Sequence, residues 1–207
     1  MKKYMCFSLT IISLSLIWIG CSNSVSSSSN ENTSWVFVAN EGDGCWEEWG
    51  DDCSLPGNGS ISMIDDNGKI QHIENIGYTV NSLEVYNDKL YVIVNQDHKI
   101  LTYNINSEGI SIENTLIIPN ESSPREMVII NDNIYFTNWE TQDVKILNLQ
   151  SNQLEDLSIP VNGRPENIIY DGTYILVSIP EITKRDGNPN ICPIVNYIFW
   201  TSIKGNR

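Results

Sequence analysis

Three segments of the sequence share one pattern, in which a run of apolar and β-branched residues meets a short polar turn and a second apolar run follows. These segments are residues 81–92, 125–136 and 165–176. The equivalent positions Asn87 and Asn131 are 44 residues apart, and the equivalent positions Glu126 and Glu166 are 40 residues apart. Asn-Asp and Asp-Gly turns tolerate positive φ, so each segment predicts a tight β-hairpin. The chain is therefore expected to fold as a series of similar β units.

Two more apolar runs follow the hairpins, which gives each unit four short strands. The predicted third strands are residues 59–65, 99–104 and 145–149, and the predicted fourth strands are residues 70–76, 112–118 and 154–159. A partial copy over Trp35–Asn40 matches the second strand alone. Four strands in roughly 40 to 45 residues is the period of a β-propeller blade, and no comparable window has helical periodicity. We predict an all-β fold of roughly three and a half to four four-stranded antiparallel blades over residues 35–180, in an incomplete or open ring.

The turns of the repeat resemble those of the YncE-like, YVTN-type family of exported bacterial β-propeller proteins. The resemblance covers Trp35 to Pro180 and is carried by Ser123-Pro124-Arg125, by the run from Asn133 to Trp139 and by the run from Gly163 to Asn167. It implies a propeller without naming a function, since members are generally seven-bladed and most have no established activity. A shorter series of blades predicts a truncated product, an open or smaller ring, or an assembly of several chains, and we favour truncation. Residues 181–207 fit no repeat position and predict an irregular C-terminal tail.

The beginning of the chain has the layout of a secretory signal peptide. A short positive region and an uncharged apolar run are followed by Gly20-Cys21 and then by polar residues. This junction resembles a lipoprotein signal, in which the cysteine is lipidated and becomes the mature N-terminus. We predict a signal peptide over residues 1–20, lipidation of Cys21 and a Ser/Asn-rich tether over residues 21–34, with an uncleaved anchor helix as the alternative. The predicted location is the bacterial cell envelope, periplasmic or on the outer membrane or cell surface, with the lipid bilayer as a partner.

The charge of the chain limits its partners. The formal net charge is −14 and the sequence pI is about 4.3. A surface this acidic repels phosphate backbones, so we do not expect nucleic acid as a partner. The remaining candidate partners are an envelope protein, a peptide or a glycan.

The segment between the second and third strands of the first predicted blade concentrates cysteines and tryptophans. Cys45 and Cys53 are eight residues apart, and export to an oxidising compartment predicts a disulfide between them. Cys192 has no evident partner. Trp46 and Trp49 are candidates for contact with a ligand, and packing against the adjacent blade is the alternative.

The same segment is rich in carboxylates. Carboxylate oxygens are hard ligands of the kind that Ca²⁺ prefers. The candidate metal ligands are Asp43, Glu47, Glu48, Asp51 and Asp52. Their spacing does not match an EF-hand loop, so we favour a solvated acidic loop stapled by the disulfide and without a cofactor, and Ca²⁺ binding is the alternative.

Catalytic motifs are scarce. The sequence has no GxSxG nucleophile elbow, no HExxH pair, no phosphate loop and no Rossmann glycine pattern, so we predict no catalytic residue. A lactonase-like or quinoprotein-like propeller enzyme is an alternative, in which Glu126, Asn138, Glu166 and Asn167 would hold a metal in the central channel.

We expect a membrane-anchored extracytoplasmic binding or protein-interaction module rather than an enzyme. A non-functional fragment of a longer propeller lipoprotein is the third hypothesis. The candidate ligand contacts within the blades are Arg125, Trp139 and Arg164. For the two arginines, the alternative role is pairing with nearby carboxylates.

Overall fold

The structure is a computed structural model that describes residues 34–45, 50, 52–54, 57–180 and 198–204. The predictions for the signal peptide, Cys21, most of the tether and Cys192 lie outside these residues. So do those for Trp46, Glu47, Glu48, Trp49 and Asp51. The chain divides into two units, residues 1–31 and 32–207, and the described residues all belong to the second. In this described part, no helix has the length and apolar character needed to cross a membrane.

The described residues form four antiparallel sheets, which are the blades. Blade 1 contains β1 (Val36–Asn40), β2 (Gly59–Ile64) and β3 (Ile70–Gly77). Blade 2 contains β4 (Val80–Tyr86), β5 (Lys89–Val94), β6 (Lys99–Asn106) and β7 (Gly109–Ile117). Blade 3 contains β8 (Pro124–Ile130), β9 (Asn133–Asn138), β10 (Asp143–Asn148), β11 (Gln153–Leu154) and β12 (Ile159–Pro160). Blade 4 contains β13 (Ile168–Tyr170), β14 (Tyr174–Pro180) and β15 (Ile198–Lys204). The predicted all-β fold of antiparallel blades is confirmed.

The hairpins that begin the blades close where the repeat places them. Asn87 and Asp88 have φ of 49° and 58°, and the equivalent Asn131 and Asp132 have φ of 48° and 59°. Two consecutive positive φ angles define the hairpin turn whose twist matches that of the flanking strands. The recurring polar dipeptide therefore sets the register of the first two strands in blades 2 and 3.

The prediction of an irregular tail over residues 181–207 is wrong for Ile198–Lys204. This segment forms β15, which pairs with β14 along seven positions from Tyr174–Lys204 to Pro180–Ile198. It takes the third-strand position of blade 4, because β-branched and aromatic residues suit a pleated strand and β14 offers a free edge. The long connection between β14 and β15 hides this relationship from a search for evenly spaced repeats.

The fourth strand of blade 3 also differs from the prediction of one continuous strand over residues 154–159. Two short strands, β11 and β12, both pair with β10 at its two ends. The intervening Asp156-Leu157-Ser158 is exposed and lies outside the ladder. The edge strand is thus interrupted, a common feature of sheet edges that limits pairing with other chains.

The apolar core lies between blades rather than within them. Buried residues form three clusters, each drawn from two consecutive blades. Strand β5 shows how this works, since Leu90, Val92 and Val94 pack towards blade 1 while Tyr91 and Ile93 pack towards blade 3. Alternate side chains of a strand point to opposite faces, so a strand covered on both faces has a continuous apolar sequence.

Polar contacts also join neighbouring blades. The Ser82 hydroxyl of β4 donates to the Glu126 carboxylate of β8. The Tyr86 hydroxyl at the end of β4 donates to Asp132 Oδ1 over 2.7 Å. Because Tyr86 and Asp132 are on consecutive repeats, this hydrogen bond depends directly on blades 2 and 3 lying side by side.

Candidate functional site

A cavity of about 620 Å³ lies at the end of the blades where first strands begin and second strands finish. Blades 1 and 2 contribute residues 41–44 after β1, Thr79 before β4 and Asn95–Gln96 after β5. Blades 3 and 4 contribute Ser123 and Arg125 near the start of β8, Trp139–Glu140 after β9 and Arg164 before β13. The site is therefore built by loops that the stacked blades hold in place.

The repeat places equivalent backbone in this cavity but gives it different side chains. The Asn95 amide donates to the Thr79 carbonyl over 2.8 Å, and the Trp139 amide donates to the Ser123 carbonyl over 3.0 Å. Thr79 and Ser123 are 44 residues apart, and so are Asn95 and Trp139. This is the spacing between the hairpins of blades 2 and 3. Identical backbone bonds thus present a small amide in one blade and a large indole in the next.

Two guanidinium groups lie over the ring of Trp139. The Arg125 Cζ atom is 4.5 Å from the ring centroid, and the Arg164 Cζ atom is 5.4 Å from it. Both distances are within the range at which a cation is attracted to an aromatic face. The structure therefore brings together the three side chains that the sequence analysis names as candidate ligand contacts within the blades.

Each arginine also pairs with a carboxylate, as the alternative prediction states. Arg125 donates through Nε and Nη2 to the two oxygens of Glu166, over 3.1 and 3.4 Å. Arg164 Nη2 lies 3.2 Å from Glu140 Oε1. Bidentate pairing fixes a guanidinium in orientation as well as position, so Arg125 is the better-held of the two.

A β-bulge directs Arg125 into the cavity. The register between β8 and β9 shifts between Pro124 and Met127, which leaves Glu126 outside the regular ladder. The fully buried Thr137 hydroxyl replaces the missing bonds, because it accepts from the Glu126 amide over 3.1 Å and lies 3.3 Å from the Glu126 carbonyl oxygen. Bulges commonly re-aim a side chain next to a functional site, and here the re-aimed residue is Arg125.

Residues 41–44, which line the cavity, lead directly into a disulfide. Cys45 and Cys53 form the predicted disulfide, with their Cα atoms 5.6 Å apart. The Gln96 side chain holds the backbone of Cys45, since it accepts from the Cys45 amide over 2.8 Å and donates to the Cys45 carbonyl over 3.3 Å. This pair of bonds joins residues 41–45 to blade 2.

The described carboxylates of the acidic segment are used in local hydrogen bonds. Asp43 accepts from the Asn58 side-chain amide over 3.0 Å, and the Asp43 amide donates back to Asn58 over 2.7 Å. Asp52 accepts from the Ser54 hydroxyl and amide, and these bonds lower the pKa of Asp52. No group of three or more His, Cys, Asp or Glu side chains suited to a metal occurs in the described residues. With Glu47, Glu48 and Asp51 outside them, the calcium site stays a prediction.

The four residues proposed for a channel metal have other roles in the structure. Glu166 holds Arg125, and Glu126 accepts from Ser82. Asn138 is fully buried and donates to the Phe136 carbonyl, while the Asn167 amide donates to the Ser178 hydroxyl. These contacts do not assemble a ligand set around one point.

Glu84 lies on β4, the first strand of blade 2, and was not among the predicted site residues. Partial burial on β4 is the main reason that the pKa of Glu84 is raised, and the nearby negative charge of Glu126 raises it further. In the folded state the ionised form is therefore disfavoured, so the stability contributed by the protonated Glu84 is present below the ordinary carboxyl pKa and is lost as pH rises through the raised pKa.

Several cavity residues were not predicted from the sequence, among them Asn95 and Gln96. The repeat contained a usable signal, because Asn95 is equivalent to Trp139 at the 44-residue spacing. Gln96 carried no signal of this kind, since its role depends on the path of the disulfide-linked segment.

Comparison with solved structures places the chain among β-propeller proteins. A luciferin-regenerating enzyme matches with a TM-score of 0.57 and 16% identity, over 82% of this chain and 62% of that one. A putative 6-phosphogluconolactonase from Bacteroides uniformis matches with a TM-score of 0.50 and 14% identity, over 70% of this chain and 50% of that one. Hydrazine synthase from Kuenenia stuttgartiensis matches with a TM-score of 0.51 and 11% identity, over 60% of this chain and 37% of that one.

These matches define a fold class and nothing finer. Identities of this size show the fold alone, which is that of a β-propeller. The chain spans less than two thirds of the length of each of these structures. No protein-family model and no curated protein matches the sequence.

Proposed function

We propose that this protein is a membrane-anchored, extracytoplasmic β-propeller that binds a ligand in the cavity lined by all four described blades. The observation that carries the proposal is the Arg125–Trp139–Arg164 stack in a cavity of about 620 Å³. A volume of roughly 300–1,000 Å³ is typical of small-ligand sites. Loops held by a rigid scaffold are also where binding residues concentrate.

The arginines and glutamates of the site are already engaged in ion pairs and hydrogen bonds, and this favours a binding role over a catalytic one. Arg125 is held by Glu166 through two hydrogen bonds, so its orientation is fixed before a ligand arrives. Fixed donors cost little conformational entropy on binding. The enzyme alternative relies on Glu126 and Glu166 as channel ligands, and both are engaged in contacts between blades.

The location part of the proposal comes from the sequence. The apolar run before Gly20-Cys21 and the polar residues after it support a lipid-anchored protein with a flexible tether. The Cys45–Cys53 disulfide supports an oxidising compartment, because such bonds persist mainly outside the cytoplasm.

Replacing Cys21 by alanine is expected to move most of the protein from the membrane fraction to the soluble fraction. The physical reason is that the acyl chains attached at this cysteine supply the membrane affinity. Cell fractionation followed by detection of the full chain measures the effect. The matched control is Cys192→Ala, which should stay in the membrane fraction, and unchanged partitioning of Cys21→Ala would contradict the anchor.

Ligand binding in the cavity is tested by thermal melts of the full chain with a panel of oligosaccharides, peptides and small metabolites. We expect at least one compound to raise the melting midpoint of the wild type and to have a much smaller effect on Trp139→Phe. The Trp139 indole N–H is buried and has no hydrogen-bond partner among the described residues, so the phenylalanine variant should fold normally. A panel in which every compound acts equally on both proteins would contradict the proposed site.

A further inference from the structure

From the chemistry of the cavity we infer that its ligand is an uncharged oligosaccharide. This inference rests on the proposed function, since it names the ligand class of that same site. Three properties of the cavity support it, namely the polarity of its lining, the balance of its charges and the planar shape of its charged groups.

Among the residues that the structure describes, the lining has one aromatic side chain and no aliphatic one. Apart from Trp139 and two glycines, every described lining residue has a polar or charged side chain, including the hydroxyls of Thr79 and Ser123. Such a surface gives no pocket for an apolar side chain of a peptide or for a hydrophobic small molecule. It does match a ligand that carries hydroxyl groups on most of its atoms.

The charges of the cavity disfavour an anionic ligand. The positive Arg125 and Arg164 are paired with Glu166 and Glu140, and Glu41 and Asp43 add two negative side chains to the lining. An anion bound to either guanidinium would lie beside the carboxylate already paired with it, and these like charges repel. The net charge of −14 would also repel an acidic polysaccharide.

The planar charged groups fit neighbouring hydroxyls. Glu166 takes the Nε and Nη2 donors of Arg125, and the Nη1 donors are not used in that pair. Carboxylates such as Glu41 accept hydrogen bonds through two oxygens, while guanidinium groups donate through two parallel N–H bonds. A sugar hydroxyl can accept a hydrogen bond from a guanidinium, and its neighbour can donate one to a carboxylate. A ligand with hydroxyls on most of its carbons therefore uses the guanidinium and carboxylate groups of the cavity at once.

The test is isothermal titration of the full chain, kept in a detergent that has no sugar headgroup. The neutral probes are maltopentaose, cellopentaose and penta-N-acetylchitopentaose, and the comparison probes are pentagalacturonate and an uncharged pentapeptide. We expect one neutral pentasaccharide to bind, and both comparison probes to give no saturable heat. Arg125→Ala should weaken that binding by roughly tenfold or more, as expected for a partly buried anchor residue at the centre of the site.

Two further variants keep the result interpretable. Lys89→Ala removes a positive charge at the other end of blade 2 and should leave binding unchanged. Glu41→Gln alters an exposed side chain of the cavity and should weaken binding while the melting midpoint stays the same. This second variant tests the site even if Arg125→Ala fails to fold.

The outcomes separate the ligand class from the site. Binding of pentagalacturonate or of the peptide that is lost in Glu41→Gln and Arg125→Ala would overturn the oligosaccharide inference and leave the proposed function standing. Binding of a neutral pentasaccharide that neither variant weakens would overturn the inference, because the sugar would then bind elsewhere. If no probe binds, the inference fails, and the wider panel of the thermal-melt experiment decides the proposed function.

Discussion

Replacing Phe136 by alanine is expected to lower the free energy of unfolding by about 3–5 kcal/mol. Phe136 lies on β9 with none of its surface exposed, and it belongs to the cluster that joins blades 2 and 3. Truncation removes the transfer free energy of the ring and leaves a cavity that two rigid sheets cannot close. Urea denaturation of the full chain, followed by circular dichroism, measures the change.

The matched control for this variant is Ile112→Ala. Ile112 is on β7 and is 56% exposed, so its truncation should change the free energy of unfolding by less than about 0.5 kcal/mol. If Phe136→Ala unfolds within about 1 kcal/mol of the wild type, then the core between blades 2 and 3 does not contribute as described.

Replacing Thr137 by valine should cost about 1–3 kcal/mol, although the two side chains have nearly the same shape. Valine has no hydroxyl, so the part-buried Glu126 amide at the bulge loses the partner that the fully buried Thr137 supplies. A buried donor without an acceptor costs its full desolvation free energy. The amide of Glu126 should also exchange with deuterium much faster than in the wild type.

Thr137→Ser is the control, because serine keeps the hydroxyl and loses only a methyl group. Its Glu126 amide should remain protected from exchange. Since the bulge also directs Arg125, the valine variant should weaken ligand binding more than the serine variant. Equal protection of the Glu126 amide in both variants would show that the Thr137 hydroxyl does not replace the ladder hydrogen bonds that the bulge removes.

The repeat made most of the fold predictable. Blades 2 and 3 repeat a hairpin whose Asn-Asp turn has positive φ, and β5 has the continuous apolar sequence of a strand covered on both faces. These are local signals, and they fix strand existence and blade order. The sequence analysis missed β15 because a long connection separates Ile198–Lys204 from β14, and spacing is the only guide to a repeat position.

The site was predictable only in part. Arg125, Trp139 and Arg164 were candidates because they stand in the turns of the repeat, and the structure brings them together. The sequence could not show that Gln96 holds Cys45, since this contact joins segments 51 residues apart through side-chain geometry. Contacts of that kind depend on how blades stack, which no local pattern encodes.

The central claim is that consecutive repeats lie side by side as blades, and the pKa of Asp132 tests it most directly. The Tyr86 hydroxyl of blade 2 donates to Asp132 of blade 3, and this bond, followed by one from Gln150, lowers the pKa of Asp132. Because the folded-state pKa is lowered, the stabilisation is present above the ordinary carboxyl pKa and is lost as pH falls.

Carboxyl-detected NMR titration of the full chain measures this pKa in the wild type and in Tyr86→Phe. We expect the pKa of Asp132 to rise towards its ordinary value in the variant. The pKa of Asp171 is lowered by backbone bonds within blade 4, so it should stay unchanged in the same spectra. A pKa of Asp132 that is the same in both proteins would contradict the packing of the two blades.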